Sequence, residues 1–121
     1  MKKVIIALII LFVGYVGFRI FKPSPANIPD SEADLILYWG NGCSHCEVVK
    51  DYISQNKLDV KFKISPKEVY YNQANQKSLE DTVKLCPEVD TSQGIGVPLA
   101  FDVKNKLCLL GSDTIIQWLK K

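Results

Sequence analysis

The 121-residue sequence has one histidine, four cysteines and no acidic residue before Asp30. Each shortage narrows the range of functions. A structural zinc site wants four ligands, and no second C-x-x-C or Cys/His pair follows the single one at Cys43 and Cys46. Four of the fifteen basic residues, Lys2, Lys3, Arg19 and Lys22, fall in the acid-free stretch, leaving eleven basic against thirteen acidic residues, a balance of about −2. The overall charge of +2 therefore belongs to the N-terminus. A body of that sign lacks the broad basic surface that phosphate binding needs, so no nucleic-acid partner is expected. There is no internal repeat or low-complexity tract, and 47% hydrophobic with 10% aromatic residues excludes a mostly disordered chain. The length, below the ~150 residues typical of one domain, leaves room for a single small domain.

One long hydrophobic run is present. Residues 4–18 (VIIALIILFVGYVGF) are all apolar or glycine, and Ile20 and Phe21 extend the run past Arg19. At ~1.5 Å per residue, 4–21 reaches ~27 Å, just short of a ~30 Å hydrocarbon core, with Arg19 close enough to the end to snorkel. Residues 1–22 are expected to form an N-terminal transmembrane anchor. A cleaved signal peptide competes, with Ser24 and Ala26 as small residues for cleavage, but Arg19, Phe21, Lys22 and Pro23 make poor spacing for it. Lys2, Lys3 and the amino terminus outweigh Arg19 and Lys22. The N-terminus is therefore expected to stay cytoplasmic and the body to be extracytoplasmic, or secreted if the segment is cleaved. Residues 23–32, rich in proline, read as a linker, and residues 33–121 as the folded domain.

The body reads as β-α-β-α-β-β-α. Residues 33–39 (ADLILYW) are a short apolar run suited to a buried strand, broken by Gly40, Asn41 and Gly42. Cys46, Val49, Tyr52 and Ile53 then recur at helical spacing, and the helix should end near Gln55. Val60, Phe62 and Ile64 alternate with lysines like a half-exposed strand. Residues 65–72 are ambiguous: Ser65, Pro66 and Glu68 suit a helix start, Val69, Tyr70 and Tyr71 a strand. A helix from about Asn75 carries Leu79, Val83 and Cys86 and stops at Pro87. Residues 97–103 and 107–110 should pair as a hairpin, and Ser112 or Asp113 should cap a last helix with Ile115, Ile116 and Leu119 inward. The two helical crossovers imply parallel pairing in the first half of the chain.

The chemistry concentrates in Cys43, Ser44, His45 and Cys46. A C-x-x-C after a strand and at the start of a helix sets the first sulfur beside free backbone N–H groups and the positive end of the helix dipole. Such a setting lowers a thiol pKa from near 8.5 into the ~3.5–7.5 range, which makes Cys43 the attacking sulfur. Cys46, one turn on, is placed to resolve the mixed disulfide. His45, as a cation between them, would stabilise the Cys43 thiolate further; the alternative is a solvated surface histidine.

YWGNGCSHC (38–46), GVP (96–98) and GSDTIIQWL (111–119) together resemble the thioredoxin superfamily, especially small glutaredoxin-like proteins and Dsb-type oxidoreductases of the cell envelope. The resemblance spans residues 33–121. It implies a thioredoxin-like domain with a central four-stranded mixed sheet, no cofactor beyond a redox-active Cys43–Cys46 disulfide, and no metal. It further implies that Pro98 is cis beside Cys43, that the Val97 backbone pairs with bound substrate, and that a quinone-linked membrane protein is a redox partner. Glutaredoxins usually carry Pro and Tyr between the cysteines. Ser44 and His45 stand there instead, which weighs against glutathione binding. Ser112 and Asp113 resemble that family's glutathione-carboxylate site, although helix capping explains them more simply.

Cys86 and Cys108 have two readings: separate buried thiols, which the sequence favours slightly, or a structural disulfide closing a loop of about 22 residues. The expected function is thiol-disulfide exchange with extracytoplasmic proteins. The alternatives are a copper- or zinc-binding module using Cys43, Cys46 and His45, and an interaction domain in which the Cys43–Cys46 bond is structural.

Overall fold

A computed structural model describes residues 1–20 and 28–121, without the side chains of 18–20. Strand β1 (Leu35–Trp39) lies inside a four-stranded sheet of order β2-β1-β3-β4. Its apolar run is continuous because both faces are covered, so that alternate residues serve different layers. Ile36 and Tyr38 pack with Leu79 and Val83 of α4 (Gln73–Val83). Leu35 and Leu37 pack with Val49 of α2 (Ser44–Gln55), Leu58 of α3 (Leu58–Lys61), and Ile115 and Leu119 of α5 (Ser112–Leu119). Among the described residues, every buried hydrophobic one lies at Ala33 or later. The fully buried Tyr38 keeps its hydroxyl satisfied through Ser78 Oγ at 3.0 Å and Thr82 Oγ1 at 2.8 Å, which seats α4 on the sheet.

β2 (Ile64–Glu68) runs parallel to β1, as the α2 crossover requires. The second crossover does not extend the parallel pairing. β3 (Leu99–Asp102) passes β2 and pairs antiparallel with β1, then forms a hairpin with β4 (Leu107–Leu110). The alternation at Val60 and Phe62 also misleads: Lys57 adopts φ 50° and starts the short turn of α3, in which Val60 is exposed, so the strand begins only at Ile64. Pro66 fits β2 because the strand is at the edge of the sheet. No side chain caps α5. Gly111, at φ 88°, is its N-cap, and Ser112 and Asp113 open the helix rather than cap it.

At the closed end of the hairpin, buried Asp102 accepts the Trp118 Nε1–H at 2.7 Å and both the backbone and side-chain N–H of Asn105 at 3.0 and 2.7 Å. Burial raises its pKa, but these donors and the Lys121 charge outweigh that and hold the carboxyl below its ordinary value.

Before the domain, α1 (Lys2–Ile20) leaves most of its described apolar side chains exposed, Leu11 and Phe12 by about 70%. The expected transmembrane anchor finds no support here: among the described residues, no helix is long and apolar enough to cross a membrane. Phe21 and Lys22, the first part of the linker, and the candidate cleavage residues Ser24 and Ala26 lie outside the described residues. The end of the linker is described and is tied down, because Asp30 receives the Ser65 hydroxyl at 3.2 Å and the Lys67 ammonium at 3.1 Å.

Candidate active site

The turn after β1 is tight. The Gly40 carbonyl accepts the Cys43 N–H at 3.2 Å, and Gly42 takes φ 82°, a conformation open to glycine because no Cβ collides there. Cys43 follows in extended backbone as the N-cap of α2. Its sulfur fills the role that a serine or aspartate oxygen usually takes, accepting the Cys46 N–H at 3.2 Å, while its carbonyl accepts the Glu47 N–H at 3.1 Å. A donor that the helix leaves unpaired thus points at Cys43 Sγ, and the same donor would stabilise a thiolate there.

Cys43 and Cys46 form a disulfide with their Cα atoms 5.3 Å apart. The two sulfurs are not equivalent. Cys46 is 0% exposed, whereas Cys43 is only half-buried, so an incoming sulfur meets Cys43 first.

The Val97 carbonyl lies 3.7 Å from Cys43 Sγ, and the Val97–Pro98 peptide is cis. A bonded sulfur carries no proton, so this approach becomes a hydrogen bond only in the dithiol form, when the Cys43 thiol can donate. The Pro98 carbonyl accepts the Gly111 N–H at 3.0 Å, which couples this turn to the start of α5. Between them runs a groove of about 450 Å³ lined by His45, Val97, Pro98, Ser112 and Asp113 among others. The exposed His45 stands on its rim. Cys43, Cys46, Val97 and Pro98 therefore come together with His45 beside them.

Cys86 and Cys108 lie elsewhere. They are bonded to each other, with Cα atoms 5.9 Å apart, which corrects the sequence's lean toward separate thiols. Cys108 faces the α4 side of the sheet, and Cys86 follows the end of α4 on that same side, a meeting that no sequence spacing reveals.

No family model, curated protein or solved structure matches this chain. The geometry alone therefore carries the assignment. A small α/β domain with a mixed four-stranded sheet and a C-x-x-C disulfide is compatible with a thioredoxin-like fold and with thiol-disulfide exchange. Among the described residues, no group of three or more His, Cys, Asp and Glu side chains is placed to hold a metal ion. Cys43, Cys46 and His45 are thus not gathered as a ligand set.

Two residues at the site escape the sequence reading. The Glu68 carboxylate accepts the Asn41 N–H at 3.3 Å, and the Tyr70 ring occupies the space where a Cβ on Gly40 would go. Neither has a motif, since both depend on where β2 ends.

Proposed function

We propose that the protein is a thiol-disulfide oxidoreductase whose nucleophile is Cys43 and whose resolving sulfur is Cys46. The reading is carried by one observation: of two bonded sulfurs, the accessible one sits at a helix N-terminus and receives a backbone N–H.

In the oxidising direction, a substrate thiolate attacks Cys43 Sγ, the Cys43–Cys46 bond breaks, and Cys46 leaves as a thiolate. A second substrate thiolate then attacks its partner sulfur in the mixed disulfide and releases Cys43. The substrate gains a disulfide and loses two electrons, and the protein becomes a dithiol. In the reducing direction, the Cys43 thiolate attacks a substrate disulfide and Cys46 displaces the reduced substrate. The groove at Val97 and Pro98 binds the substrate chain, and His45 on its rim favours the thiolate whenever it is charged. No cofactor beyond the disulfide is needed. The substrates are protein thiols and disulfides, and a membrane redox partner resets the pair.

The site is held extracytoplasmically, with residues 1–22 attaching the domain to a membrane. The exposed apolar side chains on every side of α1 support attachment to an apolar phase, and the buried Cys86–Cys108 bond supports an oxidising compartment.

Insulin reduction by the full chain in detergent tests the activity, with turnover expected for the wild type and lost in Cys43→Ser. No turnover, or equal turnover by the variant, overturns it. Protection of the domain from protease in sealed inverted vesicles is not expected if the domain faces the cytoplasm, so cleavage there would refute the localisation.

A further inference from the structure

The edge strand β2 ends in a carboxylate bound by several backbone donors. Glu68 Oε1 accepts the Tyr70 N–H at 2.8 Å and the Asn41 N–H at 3.3 Å, and Oε2 accepts the Tyr71 N–H at 2.9 Å. The two tyrosine donors fold the chain back over the strand end. The Asn41 donor belongs to the turn that delivers Cys43, two residues later. Partial burial acts to raise the Glu68 pKa, but the backbone N–H groups of Tyr71, Tyr70, Asn41 and Asn72 prevail and hold it below its ordinary value, so the acceptor stays charged.

The same segment grips the turn a second way, because the Tyr70 ring lies flush against Gly40. That segment is itself anchored to α4: Asn75 Nδ2 donates to the Glu68 carbonyl at 2.8 Å and Gln76 Nε2 to the Val69 carbonyl at 2.6 Å. The turn needs such support. Asn41 and Gly42 are exposed, two of its three residues are glycine, and a free glycine backbone samples far more conformations than the one seen.

We propose that Glu68 and Tyr70 are positioning residues of the exchange site, clamping the 40–42 turn so that Cys43 Sγ stays on the Cys46 N–H and opposite the Val97 carbonyl. The inference rests on the thiol-exchange reading but concerns a different property, the readiness of Cys43 to attack. Only the clamped conformers present a stabilised thiolate, so the attack rate falls in proportion to the clamped fraction. Both carboxylate oxygens accept, so a glutamine can keep the Oε1 bonds to Asn41 and Tyr70 but sets an NH2 donor against the Tyr71 N–H.

The test is the rate at which iodoacetamide alkylates Cys43 in the reduced full chain at pH 7, read by mass spectrometry alongside thermal unfolding. Glu68→Ala is expected to slow alkylation by roughly three- to tenfold with little change in the unfolding midpoint, and Glu68→Gln, which keeps only the Oε1 acceptor, to fall between that variant and the wild type. Gly40→Ala, which drives the Tyr70 ring off the turn, should slow it as Glu68→Ala does. A wild-type rate in Glu68→Ala overturns the proposal, as does a wild-type rate in Gly40→Ala, or a loss that merely follows the unfolded fraction. Alkylation needs no protein substrate. A wild type that alkylates rapidly yet fails to reduce insulin therefore defeats the exchange reading and leaves the clamp standing.

Discussion

The Cys43–Cys46 bond joins neighbours three residues apart, with one sulfur half-buried at the head of a helix and the other sealed. The Cys86–Cys108 bond joins residues 22 apart, 1% and 8% exposed, and ties the segment after α4 to β4. The same covalent bond thus sits in opposite surroundings. Chain entropy rewards the longer loop, by roughly 3 kcal/mol against about half that for the shorter. Exchange chemistry needs a reachable sulfur with a donor beside it, and of the two pairs only the first has a half-buried sulfur that accepts a backbone N–H. On the proposed reading, the backbone around a disulfide decides whether it exchanges or holds.

The largest expected effect separates the two pairs outright. Cys43→Ser should cut insulin reduction at least about a hundredfold, and because serine keeps the N-cap its stability cost should be limited to the roughly 1.5 kcal/mol of the lost short-loop bond. Next comes the other bond. Replacing Cys86 and Cys108 together by alanine should remove roughly 3 kcal/mol and lower the unfolding midpoint by roughly 10–20 °C, with Cys43 alkylation below that midpoint unchanged. Calorimetry and alkylation on the same samples check both. If the double variant lost reactivity while keeping its midpoint, the division of labour would be the wrong way round.

Asp102 sharpens the comparison from a region with no redox part. Asp102→Ala leaves the Trp118 indole and the Asn105 amide without their acceptor and should cost about 1–3 kcal/mol. The pH dependence has a definite sign. Because the folded-state pKa lies below the ordinary 3.8, this contribution is complete above that value and disappears as pH falls through the lower folded one. Acid titration of stability should therefore be flatter in Asp102→Ala than in the wild type below about pH 4. An equally steep titration would place the acid sensitivity elsewhere.

Local pattern reached a good part of this architecture. The end of α2 at Gln55 and both bounds of β4 follow from periodicity and turn residues, because those elements carry their own signal. β2 does not. Lys61 and Lys63 carry the alternation before the strand, Pro66 interrupts it within, and only pairing with β1 sets its register from Ile64 to Glu68. The site divides along the same line. Cys43, Cys46, Val97 and Pro98 belong to short motifs, and the bond between the first two and the approach of the Val97 carbonyl to Cys43 bring those motifs together. The Glu68–Asn41 hydrogen bond and the Cys86–Cys108 bond arise from tertiary meetings between segments that no spacing connects.

The smallest effect tests whether the surface around the reactive pair contributes to stability at all. Lys50 Nζ lies 4.0 Å above the Trp39 ring and 3.1 Å from Glu47 Oε1, one turn beyond Cys46 on α2. Both contacts are solvated. An exposed cation–π contact contributes ~0.5–1 kcal/mol and an exposed helix pair less, with the ion pair weakening further in salt. Lys50→Ala should thus lower stability by about 0.5–1 kcal/mol, with much of the loss persisting at 1 M salt because the ring contact also has an apolar part. Denaturant unfolding at two salt concentrations measures it. A loss comparable to that of the Cys86–Cys108 pair would mean that the reactive region is also a main support of the fold, and the contrast between the two disulfides would fail.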